Sequence, residues 1–324
     1  MLPALIAAGV AVGSGLLFPL LSPLLIALLL GAVVANMRIR GLDEVRERAA
    51  ASRVLLRWGV VLLGLKLPLS EIARIGPSGI LVVVVTVALT FAATLALGRL
   101  LGLDRGFVTL VATGFSICGA AAIAAVEDAV GAKRRDVTLA VALVTLFGSA
   151  MIVVLPWLAS LLGLSETQTA VWAGASIHEV AQVVAAASGL GAAAAAIATT
   201  VKLGRVALLA PVYGIAAHLS RTRMPTPTPT PSGAGRVPHA PWVPWFVIGF
   251  AVAIAVRSLG LLPEPVFAVT DIVTTFLLAA GMFGLGLGLD VRELWPVPVR
   301  AFALGTMSTI VAAGGSLALV LLTA

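Results

Sequence analysis

Eleven apolar runs follow one another along the 324 residues, near 3–18, 19–37, 54–68, 78–101, 107–126, 137–162, 168–187, 190–218, 243–261, 266–289 and 300–323. An α-helix needs about 20 apolar residues to cross the roughly 30 Å hydrocarbon layer of a bilayer. Only 11% of the residues are Asp, Glu, Lys or Arg, while 60% belong to the set AVILMFWYC. A soluble domain carries roughly 25% charged residues, and a soluble surface could not be covered with so few. A cytosolic enzyme and a disordered chain are thereby excluded. With Cys118 as the single cysteine, so is a disulfide scaffold. The Ala, Gly, Leu and Val content suits close-packed helices, and the polar alternation of a membrane barrel is absent. The expected fold is an all-α polytopic membrane protein of about nine to eleven transmembrane helices. The first run lacks a basic leader and a clear cleavage site, so it reads as retained.

The stretch 221–244 contains Pro225-Thr226-Pro227-Thr228-Pro229-Thr230-Pro231, an extended, solvated composition. It reads as a linker between an N-terminal membrane region, 1–220, and a C-terminal three-helix region, 245–324. The net charge of +7, from 21 basic and 14 acidic residues, reports loops on one membrane face rather than nucleic-acid binding. If every run spans, the loop cations split 12 to 6, and Lys133-Arg134-Arg135 falls on the poorer side. If the fifth and seventh runs each enter and leave on one face, the split becomes 15 to 3. Only Arg57, Lys202 and Arg205 then remain inside spans. Since cations favour the cytoplasmic side, the count prefers two re-entrant or broken segments, with the linker cytoplasmic.

Those two segments carry related polar motifs. Gly114-Phe115-Ser116-Ile117-Cys118-Gly119 aligns at an offset of 60 with Gly174-Ala175-Ser176-Ile177-His178-Glu179. A Gly and a Ser before small apolar residues predict a helix interruption followed by a new start, with Ser able to cap. Irregular backbone at membrane depth is tolerated where it lines a cavity or is buried in protein. Broken helices near the midplane are the usual site of secondary transporters, and their N-termini favour anions. Two glycine-rich packing helices without a site are the alternative.

Glu179 lies in an apolar run, where a carboxylate is costly without partners or water, and Gln182 follows on the same helical face. With His178 they form a polar turn, read either as a pocket or as a satisfied helix–helix network. Metal-ligand spacing is missing, since His218 and His239 lie in or near the linker, so no metal or cofactor is expected. Lys202 and Arg205, three apart in the eighth run, share a face and need anionic partners; snorkelling to the interface is the alternative. Asp271, followed by Thr274 and Thr275, reads as a helix N-cap or a coupling-ion ligand. A second similarity, at an offset of 222, aligns Gly59, Gly64 and Leu65 with Gly281, Gly286 and Leu287, as in an inverted repeat.

The strings SICGAAAIAA (116–125), SIHEVAQVVAA (176–186), VKLGRVALLAP (201–211), PWF (244–246) and FLLAAGMFGLGL (276–287) resemble the YeiH-type family of bacterial inner-membrane proteins. Its members carry the label of sulfate exporters. The resemblance covers nearly the whole chain beyond the first two runs, and the Pro-Thr linker is the main departure. It implies a secondary transporter distantly similar to the cation–proton antiporter and bile-acid transporter superfamily, in which unwound helices cross at the site. Crossing helices of that kind would span, whereas the charge count favours turning back, and both readings stay open here.

The expected activity is outward movement of a small anion, sulfate or an organosulfonate, by alternating access in the inner membrane. Ser116, Cys118, Gly119, Ser176 and Ile177 would offer N–H groups and hydroxyls, with His178 and Gln182 beside them. Lys202 and Arg205 would supply positive charge. Glu179 with His178 would couple transport to protons. A sodium-coupled importer of an organic anion is the alternative. An intramembrane enzyme with Cys118 or Ser116 as nucleophile and His178 as base is a further one, lacking an evident third group. A homodimeric assembly is compatible with the sequence.

Overall fold

The computed structural model describes residues 2–17, 23–37, 52–66, 68–221, 245–287 and 298–323, and regular structure in them is helical throughout. In order these are α1 (Leu2–Leu17), α2 (Pro23–Asn36), α3 (Ser52–Leu63), α4 (Leu69–Arg74), α5 (Gly76–Leu100), α6 (Arg105–Ser116), α7 (Ala120–Val130) and α8 (Arg134–Leu161). They continue with α9 (Glu166–Ser176), α10 (Val180–Ala187), α11 (Ala192–Ala207), α12 (Leu209–Arg221), α13 (Trp245–Ser258), α14 (Glu264–Gly286) and α15 (Val299–Thr323). Short 3₁₀ turns follow α3 and α10. The Pro-Thr linker, apart from Arg221, lies outside the described residues, as do the cations between 38 and 51. By length and composition, five stretches are apolar enough to cross a membrane: 76–100, 135–161, 192–220, 265–286 and 299–323. The fold is an all-α polytopic membrane architecture.

The helices pack as two bundles. One contains α1, α2, α3, α13 and α14; the other contains α5 through α12 and α15. The order in space therefore differs from the order along the chain. The last helix, α15, packs on α5 and α9, where Thr94 donates to Ser308 at 2.9 Å and the Trp172 indole to Ala313 O at 2.8 Å. In the first bundle α3 and α14 run antiparallel. A β-carbon on Gly59 would meet Leu278, and one on Gly281 would meet Leu56. These are one contact repeated across a two-fold relation, since Leu56 and Leu278 share the 222-residue offset of the two glycines. Small residues let such helices approach closely.

Two landmarks define the faces. Arg300 reaches towards Gly102 beside Arg99 and Arg105, making one face basic. On the other, Lys66 pairs with Asp271 at 3.1 Å and Leu69 N donates to the Ser258 hydroxyl at 3.0 Å. The α6–α7 segment enters and leaves by the basic face: a β-carbon on Gly106 would lie 3.7 Å from Val130 and 4.0 Å from Ala132. The α9–α10 segment does the same from the opposite face. Ala170, Ala186 and Ala187 share a core with Ala159, Ala194, Val320 and Val82, the ends of α8, α11, α15 and α5 nearest that face. Both segments turn back, as the cation count prefers, and the spanning geometry implied by the superfamily resemblance is not the one adopted. Lys133 and Arg135 consequently stand exposed on the basic side, one turn beyond the end of α7.

Candidate functional site

The two hairpin tips meet inside the second bundle. α6 ends at Ser116 and α7 starts at Ala120, so Ile117, Cys118 and Gly119 make the first turn. Gly119 has φ +75° and ψ −132°, a conformation essentially restricted to glycine. The second turn, Ile177 to Glu179, joins α9 to α10 through extended backbone. Each break thus falls one to three residues later than a serine cap would place it. Ser116 and Ser176 end the first half-helices, and their hydroxyls donate backwards to Thr113 O at 3.3 Å and Trp172 O at 2.7 Å. The N–H groups of Ile117, Gly119 and Ile177 are also engaged, on Thr113, Gly114 and Ala173 carbonyls. In the first turns of α7 and α10 the N–H of Ala120 is bonded to Glu179, that of Ala122 to Cys118 and that of Gln182 to the Glu179 side chain, which leaves those of Ala121, Val180 and Ala181, residues on the cavity lining, as the helix-end donors.

Lys202 and Arg205 are completely buried on one face of α11, which removes the snorkelling alternative. Their donors are largely committed. Lys202 Nζ donates to Ile117 O at 2.5 Å and to Ile177 O at 2.8 Å. Arg205 donates from Nε to Ser116 O (3.0 Å), from one terminal nitrogen to Ala175 O (2.7 Å) and Ile177 O (3.1 Å), and from the other to Phe115 O (2.8 Å). Two buried cations therefore close the carbonyl ends of both half-helices, where the helix dipole is negative. This accounts for their depth without a direct ligand contact. Their positive charge therefore sits behind the tips, against the backbone carbonyls.

Glu179 is the residue before α10. Its N–H donates to Gln182 Oε1 at 3.1 Å, and the Gln182 amide donates to Thr145 O at 3.4 Å, with α8 brought close at Gly148. The Glu179 side chain lies over Gly119 and takes a backbone bond from Ala120, while its Oε1 has no hydrogen-bond partner. His178 points elsewhere, its Nε2 3.3 Å from Thr309 Oγ1 and its ring 4.4 Å from that of Phe115. His178 and Gln182 do not share one helical turn, because Glu179 between them is extended and the helix starts at Val180. Asp271 is also relocated. It sits in the third turn of α14, eight residues in, and pairs with Lys66 rather than capping a helix.

A cavity of about 380 Å³ separates the bundles in front of the tips. Cys118, Ala121, Glu179, Val180 and Ala181 form its inner end, and Lys66 lies on its lining towards the face opposite the basic one. Towards the basic face the bundles touch. Arg57 of α3 pairs there with Asp128 of α7 and stacks 5.6 Å from the Phe246 ring, above a void of about 10 Å³. Sequence reasoning missed the Arg57–Asp128 pair and the cavity wall of Leu56, Leu278 and Met282. Arg57 carried a signal, as the third cation left inside a span. The wall residues carried none among so many leucines. Among the described residues, no group of three or more His, Cys, Asp or Glu is placed to hold a metal ion.

Residues 1–305 match a family described as conserved hypothetical protein 698. The chain is 40% identical over 295 residues to a UPF0324 membrane protein of Corynebacterium glutamicum, covering 91% of this chain and 84% of that protein. A UPF0324 membrane protein of Agrobacterium fabrum is 35% identical over 302 residues, with coverage of 91% and 84%. One of Yersinia pestis is 36% identical over 291 residues, with coverage of 86% and 78%. No solved structure matches the chain.

Proposed function

The chain belongs to the conserved hypothetical protein 698 family of membrane proteins, the YeiH-type family that its motif strings resemble, and on that premise we propose that it is a secondary active transporter for an anion of the sulfate or organosulfonate class, working outward by alternating access and coupled to protons. One observation carries this reading: two hairpins enter from opposite faces and meet at a cavity that holds a buried carboxyl group with an unpartnered oxygen. Irregular backbone at that depth is costly unless it serves a cavity. The first turns of α7 and α10 offer N–H groups and positive dipole ends to an anion. Lys202 and Arg205 hold the tips together and add charge behind them. Glu179, beside those N-termini, carries the proton, as the carboxyl group on the lining of the cavity. The sparse contact between the bundles provides the surface across which access alternates. On the cation distribution, the basic face is the cytoplasmic one. The commitments of the Ser116 hydroxyl to Thr113 O and of His178 to Thr309 favour a carrier over a nucleophile–base pair.

The test is anion flux in proteoliposomes under an imposed pH gradient. Glu179→Gln should abolish gradient-driven flux while the protein still purifies as a folded monodisperse species. Unchanged flux would remove Glu179 from the mechanism, and flux following a sodium gradient alone would favour the sodium-coupled alternative.

A further inference from the structure

We propose that the occupant of the cavity is an amphipathic organic monoanion, its headgroup on the first turns of α7 and α10 and its apolar body among Leu24, Leu56, Leu63, Leu278 and Met282. The inference rests on the carrier reading above and narrows its substrate class, away from inorganic sulfate.

The composition of the wall carries the argument. Of its 16 lining residues, 11 are Pro, Ala, Val, Leu or Met, and the volume is about 380 Å³. Pockets of about 300–1,000 Å³ with apolar walls and a few convergent polar groups are the usual sites of small organic molecules. Polar character is confined. Thr274 and Thr275 lie on the wall, but their hydroxyls turn back onto Thr270 O and Asp271 O. Lys66 is held by Asp271. A small inorganic dianion would therefore shed hydration against leucine and methionine without compensation from them. An alkyl or aryl body gains from the same surface.

The sign of the headgroup follows from the charges around the tips. Lys202 and Arg205 give two positive charges and Glu179 one negative, leaving one positive in excess. The helix ends do not change this, because two C-termini face the cations, two N-termini face the cavity, and each carries about half a charge. The Glu179 oxygen without a hydrogen-bond partner is an acceptor open to a proton, so the headgroup takes its bonds from the N–H groups and not from this oxygen.

The experiment measures binding to the full-length protein in nanodiscs, using inorganic sulfate, methane-, butane- and octanesulfonate, and octyltrimethylammonium. Affinity should rise about fourfold per added methylene until the cavity is filled, with sulfate weakest. Leu278→Gln should flatten that rise, and Met282→Gln serves if the first variant does not fold. A slope identical in wild type and variant would mean partition into the bilayer and would overturn the inference. Sulfate binding as tightly as octanesulfonate would also overturn it, yet leave the anion carrier intact. Binding of the ammonium compound without any sulfonate would remove both readings.

Discussion

A β-carbon on Gly119 would lie 2.6 Å from Cγ of Glu179, so the turn of one hairpin is shaped around the carboxylate of the other. Gly119 also holds φ at +75° with ψ at −132°. Backbone freedom and side-chain space are therefore both required at this one position.

Gly119→Ala should cost more than an ordinary helix-start substitution. The backbone conformation alone is worth about 1–3 kcal/mol in strain for a residue with a side chain, and Glu179 must move as well. The expected result is a lower melting temperature in detergent together with loss of anion flux. A variant that melts like the wild type would show that the turn relaxes freely and that Glu179 is not held by it.

Lys202→Met and Arg205→Met should destabilise to different extents. Lys202→Met orphans the Ile117 carbonyl, because Ile177 O keeps its bond from Arg205. An unsatisfied buried acceptor costs about 1–3 kcal/mol. Arg205→Met orphans the Phe115, Ser116 and Ala175 carbonyls together, which should be several times worse. Arg205→Lys should rescue only part, since an ammonium cannot reproduce the planar fork of donors. Thermal unfolding of the three variants checks the order. Equal melting of Lys202→Met and Arg205→Met would contradict it.

Asp128→Asn should loosen the contact between the bundles at the basic face. The pair is partly exposed, 27% for the Arg57 side chain and 64% for that of Asp128, so it is worth at most about 1 kcal/mol. A change of 1.4 kcal/mol is tenfold in population, so the shift in open states should stay below about tenfold. Cys118 reports it, being the only cysteine and lining the cavity. A membrane-impermeant mercurial should label Cys118 from the Lys66 face in the wild type and increasingly from the basic face in Asp128→Asn. Equal labelling from both faces in the wild type would deny that the Arg57–Asp128 contact closes that side.

Several features of the fold are legible in the sequence. Apolar run lengths and the scarcity of charge identify a helical membrane protein. The placement of Lys133-Arg134-Arg135 reveals that a segment turns back, because loop cations sort by face whatever the packing. The reciprocal contact of Gly59 with Leu278 and of Leu56 with Gly281 stands behind the offset of 222. Around the site the sequence was less reliable. Serine before a small-residue run suggested a cap, yet Ser116 and Ser176 bond their own preceding turns. Their neighbours offer carbonyl oxygens to cations, not N–H groups to an anion.

The sequence by itself determined the membrane class, the two interrupted segments and the shared face of Lys202 and Arg205. Each follows from run length, charge placement or helical spacing, which are properties of neighbours along the chain. Only the tertiary structure decided what those cations hold. Their partners are carbonyls of Phe115, Ser116 and Ile117, 85 to 90 residues earlier, and of Ala175 and Ile177 on the opposing hairpin. The leucine-lined cavity was equally hidden. A buried cation states that it needs electron-rich partners, but which oxygen comes within 3 Å is settled by how distant helix ends converge.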